Sequence, residues 1–345
     1  MVSDRDDEVR LADYLRPHVG GLAGPLRLDL MAGGRSNPTY LVSDGAREWV
    51  LRRPPHGHVL PTAHDMAREF HVLRALGPTV VPVPEAVLLC TDHTVLGTDF
   101  YVMERLRGHS LRTREQAEEL NPQQRRDLSA ALVRVLADLH TVDAEQVGLA
   151  GFGRPDGYLA RQLRRWRQQW QSSRTGDRPE VERLLDELEH SCPESRYPGI
   201  VHGDYKTDNV MLAPEDPTRI VGVLDWEMST LGDTMADLGI LLSFWDQPDE
   251  PYNPVSVGVT ALDGFLTREE VVDLYAALRG VDVTDIDWYI AFADLKVAII
   301  LEGIRRRHLQ GQTTGEGFDD VGDMVDPLID RARMRLSSLP AQRRR

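Results

Sequence analysis

Three side chains that could move a proton or hold a hard cation stand between apolar runs in Ile200-Val201-His202-Gly203-Asp204-Tyr205-Lys206-Thr207-Asp208-Asn209-Val210-Met211-Leu212 and the following Val221-Gly222-Val223-Leu224-Asp225-Trp226-Glu227. The runs Ile200-Val201, Val210 to Leu212 and Ile220 to Leu224 read as buried strands, so the polar residues between them sit on loops held by a rigid core. In the spacing His202-x-Asp204-x-x-x-x-Asn209, the aspartate can accept a proton from a hydroxyl. Asn209 can offer Mg²⁺ a neutral oxygen, and Asp225, after the next strand, can add a carboxylate. Base and two metal ligands thus follow one another in chain order.

On these residues the chain resembles the aminoglycoside phosphotransferase family, relatives of the protein kinases that phosphorylate small-molecule hydroxyls. The catalytic loop there reads His-Gly-Asp, here His202-Gly203-Asp204, and the metal carboxylate need not lie in Asp-Phe-Gly, here Asp225-Trp226-Glu227. The resemblance implies an α+β, bilobal, protein-kinase-like fold. Residues 1–105 would form a small β-rich N-lobe that binds nucleotide, and 106–345 a larger, mainly helical C-lobe for catalysis and substrate. It further implies ATP and Mg²⁺ as co-substrate and metal, with Lys206 helping to stabilise the transferring phosphoryl group.

The elements that must position these groups can be followed from the N-terminus. Leu26 to Leu30, Tyr40 to Val42 and Glu48 to Leu51 alternate as strands. Between the first two, Gly33-Gly34-Arg35-Ser36-Asn37 could be an ordinary turn; in a kinase-like fold it covers the ATP phosphates, with Gly33, Gly34, Ser36 and Asn37 in contact. The two-residue strand period puts Val50 and Arg52 on one face, Val50 to cover adenine and Arg52 to reach the phosphates. Kinases carry Lys at that strand position, and Arg can grip phosphate bidentately in its place. Arg53, on the opposite face, is expected to be a solvated charge.

A helix from Ala63 to Leu76 carries Met66, Phe70, Leu73 and Leu76 on one stripe, with Glu69 beside it. By the kinase analogy Glu69 pairs with Arg52 and orients it. Strands Ala86 to Thr91 and Phe100 to Met103 then lead to Glu104-Arg105-Leu106, where backbone groups at Glu104 and Leu106 would bond the adenine edge. Helices follow at Arg125 to His140, with His140 a cap or core contact, and at Tyr158 to Trp170. The second has two readings. Arg161, Arg164 and Arg165 either face water beside the stripe Leu159, Leu163, Trp166, Trp170, or bind an anionic acceptor.

After Asp225, Asp233 and Asp237 precede a buried helix, Leu238 to Phe244; the resemblance gives them to the acceptor side and to bracing the catalytic loop, and Asp233 serves equally as a helix cap. Arg268 to Leu278, Trp288 to Arg307 and Phe318 to Arg335 complete the helical part.

Composition bounds the class. A length of 345 residues, 41% of them hydrophobic, suits a globular core, and a net charge of −15 argues against a nucleic-acid partner. The polar start, Met1 to Val9, and the basic Arg343-Arg344-Arg345 are expected to fray. Cys90 and Cys192 form no motif, and neither a signal segment nor a membrane-length apolar run is present, so a soluble cytoplasmic protein is expected. Gly203 stands where many protein kinases use Arg, and no Ala-Pro-Glu follows Asp225, which argues for a small-molecule rather than a protein substrate. The details Gly-Arg-Ser-Asn, Leu-Arg-Arg-Pro-Pro and His-Gly-Asp-Tyr-Lys resemble the kinase-like domains found with acyl-CoA dehydrogenases, and imply a hydroxyacyl-CoA or other anionic acceptor over an aminoglycoside. The missing strand Lys keeps a second class open, a catalytically silent nucleotide-binding protein of kinase fold.

Overall fold

The structure is a computed structural model that describes residues 5–31, 37–55, 65–256, 258–312 and 318–339. In chain order its first elements are α1 (Arg5–Leu15), β1 (Arg27–Leu30), β2 (Thr39–Ser43), β3 (Glu48–Arg52), α2 (Met66–Leu76), β4 (Ala86–Cys90), α3 (His93–Leu96) and β5 (Phe100–Glu104). Then come α4 (Arg114–Glu118), α5 (Pro122–Thr141), α6 (Tyr158–Ser173), α7 (Pro179–His190), β6 (Pro198–Val201), β7 (Val210–Leu212), β8 (Ile220–Val223) and β9 (Thr230–Asp233). Helices α8 (Met235–Ser243), α9 (Arg268–Arg279), α10 (Ile286–Leu309) and α11 (Val325–Ser338) end the chain. They form two compact units. The first runs to His109 and takes in Val221–Ser229; the second comprises Ser110–Ile220 and the chain from Thr230.

The first unit is built on an antiparallel sheet in the order β1-β2-β3-β5-β4. Register pairs Val50 with Met103 and Arg52 with Tyr101, so these four share one face of the sheet. The other face sends Trp49, Leu51, Phe100 and Val102 into a core completed by Leu11, Leu15 and Leu88. Helix α2 lies against β4, β5 and the turn Trp226–Met228, which brings Glu69 to the Arg52 face. Its start is capped by Asp65, whose side chain accepts from the Arg68 N–H.

Two sequence expectations change here. The polar N-terminal stretch is not a frayed tail from Arg5 onward: α1 places Asp6, Asp7 and Glu8 in its first turn, where the helix dipole favours them, and buries Leu11 and Leu15 completely. The Arg10 guanidinium donates to the Val95 carbonyl at 2.9 Å and ties the helix to α3. Arg53 is not solvated either, with only 7% of its surface exposed. It directly follows β3, and its N–H donates to the Pro38 carbonyl at 3.2 Å, just before β2.

The second unit is helical apart from short strand pairs such as β6 with β9. Its centre is α10, on which α6, α7, α8 and α11 pack. Contact with α8 depends on Gly239, where an added Cβ would stand 2.6 Å from the Tyr289 carbonyl oxygen. Helix α5 packs on α9, and its start carries a capping box between Asn121 and Gln124. No helix among the described residues is long and apolar enough to cross a membrane.

Because Leu11 is fully buried, Leu11→Ala should destabilise the first unit by about 2–5 kcal/mol in urea unfolding followed by tryptophan fluorescence. A frayed segment would give no measurable change.

Candidate active site

In the second unit the His202–Asn209 loop leaves β6 through Gly203, whose φ of +87° is open to glycine and strained for other residues. Asp237, in the first turn of α8, fixes that turn: one carboxylate oxygen accepts from the His202 N–H at 2.6 Å and the other from the Gly203 N–H at 2.7 Å. His140 at the end of α5 supports Asp237. Its Nε2 lies 3.3 Å from the carboxylate, which can only accept, so that nitrogen carries the proton and Nδ1 accepts from the Tyr275 hydroxyl at 2.7 Å. Burial pushes the imidazole pKa down, so it is neutral. The Lys296 ammonium, from α10, donates to the Gly203 carbonyl, and the buried Tyr205 hydroxyl donates to the Leu132 carbonyl at 2.9 Å. The loop backbone is therefore held at several points.

This frame presents Asp204. Lys206 Nζ lies 2.7 Å from its carboxylate and 4.7 Å from the centre of the Phe244 ring. Asn209 Nδ2 donates at 2.8 Å to both the carboxylate and the carbonyl of Asp204. With its nitrogen so committed, the Asn209 amide turns its oxygen away from Asp204, where it has no partner among the described residues. Burial works against the Asp204 charge, but Lys206 and Lys296 more than offset it and hold the carboxyl below the usual carboxylate range. Asp204 is thus ionised at neutral pH. Nearby, burial and the Asp204 charge raise Asp208.

In the first unit Arg52 joins two carboxylates. Its guanidinium lies 3.0 Å from Glu69 and 3.1 Å from Asp225. Glu69, itself 1% exposed, also accepts from the Tyr101 hydroxyl at 2.9 Å and from Asn37 Nδ2 at 3.2 Å. The same Asn37 nitrogen reaches Glu227 at 3.2 Å. Burial opposes the Arg52 charge, and Tyr101, Glu69 and Asp225 together raise its pKa above the ordinary value. Burial likewise raises Glu69, with Arg52 and the Tyr101 hydroxyl opposing the rise.

Asp225 is the single non-glycine residue with positive φ, +66°, among the described residues. Such a conformation is strained and persists where the surroundings enforce it. Here Trp226 Nε1 donates to the Val223 carbonyl at 3.0 Å, the Ser229 hydroxyl to the Trp226 carbonyl at 2.6 Å, and Arg68 to the Ser229 carbonyl. One Asp225 oxygen takes the Arg52 bond and the other has no partner among the described residues.

Of the other expected nucleotide contacts, Gly33, Gly34 and Ser36 lie outside the described residues. Val50 is buried on the Arg52 face. The Glu104 N–H is taken by the Glu85 carbonyl at 2.8 Å, whereas the Leu106 N–H has no partner among the described residues. The Leu106 side chain occupies the space that Gly222 leaves: a Cβ there would be 2.1 Å from Leu106 Cδ1.

On the expected acceptor side, Asp237 is completely buried, with both oxygens engaged, so it braces the loop and presents nothing to an acceptor. Asp233 is structural too, accepting from the Met235 N–H at the start of α8 and from the Tyr289 hydroxyl. The stripe on α6 is buried as expected. Its arginines divide: Arg161 donates to the Arg154 and Asp156 carbonyls, Arg165 lies over Trp166, and exposed Arg164 has no partner among the described residues. Neighbouring Arg167 binds Glu182, Asp186 and Glu189. Sequence reasoning missed Lys296 and Tyr101; a lone lysine within the apolar Tyr289–Ile299 stretch of α10 was the available signal.

A base-bearing loop after a strand and a buried strand–helix ion pair under an antiparallel sheet are the two halves of the kinase-like α+β fold, with a β-rich N-terminal part and a helical C-terminal part. The chain belongs to the phosphotransferase enzyme family, whose profile matches residues 28–280. A Ralstonia eutropha protein assigned to the aminoglycoside phosphotransferases shares the structure with a TM-score of 0.83 at 33% identity, covering 96% of this chain and 98% of that one. Aminoglycoside phosphotransferase APH(4)-Ia, solved with ADP and hygromycin B, shares the fold with a TM-score of 0.61 at 16% identity, over 95% of this chain and 98% of that one. Acyl-CoA dehydrogenase family member 11 of Gallus gallus is 35% identical over 338 residues, 95% of this chain; the match spans only 43% of that protein.

Asp237→Ala would orphan two buried N–H groups, and should cost about 3 kcal/mol at pH 7 in denaturant unfolding. Burial pushes the wild-type carboxyl up, but the hydrogen bonds it accepts from His140 and the Gly203 N–H outweigh this and hold it below its usual range, so the folded state binds fewer protons than the unfolded one in acid. Its contribution is present above the ordinary carboxylate pKa and is lost as pH falls through the lower folded value. The gap between wild type and variant should therefore narrow below about pH 4.

Proposed function

We propose that this protein transfers the γ-phosphate of ATP to a hydroxyl of a small molecule in a Mg²⁺-dependent reaction. The observation that carries this reading is the Asp204–Lys206–Asn209 arrangement, an ionised carboxylate fixed beside an ammonium and an amide whose oxygen is free. Asp204 orients the acceptor hydroxyl and takes its proton as the new bond to phosphorus forms. Lys206 stabilises charge on the transferring group. Arg52, aligned by Glu69, neutralises charge on the nucleotide, and the Leu106 N–H is open to an adenine edge.

The free oxygens of Asn209 and Asp225 are hard donors of the kind Mg²⁺ takes, and these two residues would hold it. When bound, the ion supplies charge neutralisation across the phosphates. Residues 33, 34, 36 and 37 would cover those phosphates, with residues 1–105 acting as nucleotide lobe and 106–345 as catalytic and acceptor lobe.

For the acceptor we favour an anionic or acyl compound over a polycationic aminoglycoside. Lys206 and Lys296 lie by Asp204, and Arg165 faces Lys296; these three cations, set against Asp204, Asp208 and Asp237, favour an anion over a polycation. The name of the relative, an acyl-CoA dehydrogenase family member, points the same way. Exposed Arg164 and Arg165 are the α6 candidates for this contact, whereas Arg161 is occupied by the carbonyls of its own turn.

The test is Mg²⁺-dependent nucleotide consumption against aminoglycosides, macrolides, hydroxyacyl-CoAs and simple amino alcohols. Turnover should occur with an acyl or anionic acceptor, and Asp204→Asn should lower kcat by about 100-fold or more while nucleotide still binds. Nucleotide binding without turnover on any acceptor would instead support the silent binding protein. Arg52→Ala should raise the nucleotide KM by about tenfold or more, corresponding to one lost charge-assisted contact. An unchanged KM would remove Arg52 from the nucleotide site.

A further inference from the structure

Lys296 projects from the middle of α10, where every residue from Tyr289 to Ile299 is buried. An ammonium there is costly unless anchored, and its anchor is the Gly203 carbonyl, one residue before Asp204. The Trp166 ring centre lies 5.9 Å away on α6. The charged groups facing Lys296 are Asp204 and Lys206 on the loop after β6, Asp237 on α8 and Arg165 on α6.

Gly203, with its φ of +87°, is the residue about which this loop would most readily rotate. Asp237 holds the N–H groups of His202 and Gly203, and the N–H of the next peptide, that of Asp204, donates to His202 Nδ1 at 3.2 Å. The carbonyl of that peptide is the one Lys296 takes.

We propose that Lys296 is a positioning residue of this loop: by gripping the Gly203 carbonyl, opposite the Asp204 N–H that His202 Nδ1 accepts, it completes the fixing of the Gly203–Asp204 peptide plane and hence the direction of the Asp204 carboxylate. The assignment rests on the phosphotransferase reading, in which that direction decides whether an acceptor hydroxyl lies in line with the phosphoryl group. Burial pushes the Lys296 pKa down to about 8, with Asp204 and Asp237 opposing the fall, so the ammonium persists at neutral pH.

The test compares Lys296→Met, which keeps the length and loses the charge and donor, with Lys296→Arg, which keeps both, in the full chain. Hydrogen exchange and nucleotide turnover are read together. In Lys296→Met, amides 202–206 should exchange about tenfold faster or more while α8 and α10 keep their protection. Its kcat should fall by about 30- to 100-fold with nucleotide KM within about twofold, and Lys296→Arg should recover part of that loss. Unchanged exchange at 202–206, or kcat within about threefold of wild type, overturns the proposal. Equal impairment of both variants with protection lost throughout α10 also overturns it, because Lys296 would then serve packing alone. If wild type turns over no acceptor, the exchange result decides the positioning role while the activity result bears on the phosphotransferase reading.

Discussion

The carboxylate of Asp237 is the constraint on which the second unit's site depends. It accepts two consecutive backbone N–H groups, from His202 and Gly203, and is itself completely buried. Buried N–H groups left without acceptors are costly, so the turn after β6 forms around this carboxylate or adopts another shape. His140 and Tyr275 extend the chain of bonds to α5 and α9, so the turn is referenced to two packed helices. A fully buried aspartate thus sets the course of the backbone that carries Asp204.

Arg52 poses the complementary question in the first unit. A lysine at this strand position offers a point charge to one carboxylate at a time; the planar guanidinium reaches Glu69 with one nitrogen and Asp225 with another. Tyr101 and Asn37 satisfy the Glu69 oxygens further, so the ion pair is embedded in a network that tolerates its burial. Arginine thereby acquires a structural duty as well as a charge. It ties β3 to α2 and to the strained Asp225 turn within one unit, and this coupling accounts for an Arg at the position without invoking loss of activity.

The arrangement of the loop was legible because it is encoded as spacing: His202, Gly203, Asp204 and Asn209 stand in short range between apolar strands, and local order brings Asn209 onto Asp204. The strands of the first unit were legible from alternation, and the pairing of Glu69 with Arg52 from family position. What escaped depends on contacts distant in sequence. Lys296 meets Gly203 from 93 residues away, a relation no periodicity reveals. Arg53 was read from its face of the strand, but it stands just past the end of β3, buried and tied through its N–H to the Pro38 carbonyl, a contact that the strand period does not show. Helix α1 looked like a charged tail because only Leu11 and Leu15 in its second half carry the packing.

In the proposed reaction Asp204 is the base, yet where general bases are usually tuned upward toward neutral pH, burial of this carboxyl is more than offset by two ammonium groups that hold it down. That would be a poor arrangement if the acceptor hydroxyl had to be deprotonated before attack. In a loose phosphoryl-transfer transition state little negative charge is needed on the nucleophile, and its proton becomes acidic only as the bond to phosphorus forms. A weakly basic carboxylate that is always ionised and rigidly aimed then serves better than a stronger base that is partly protonated or mobile. The same two lysines that depress its basicity neutralise a carboxylate that would otherwise repel the phosphates, so alignment and charge compensation come from one set of contacts.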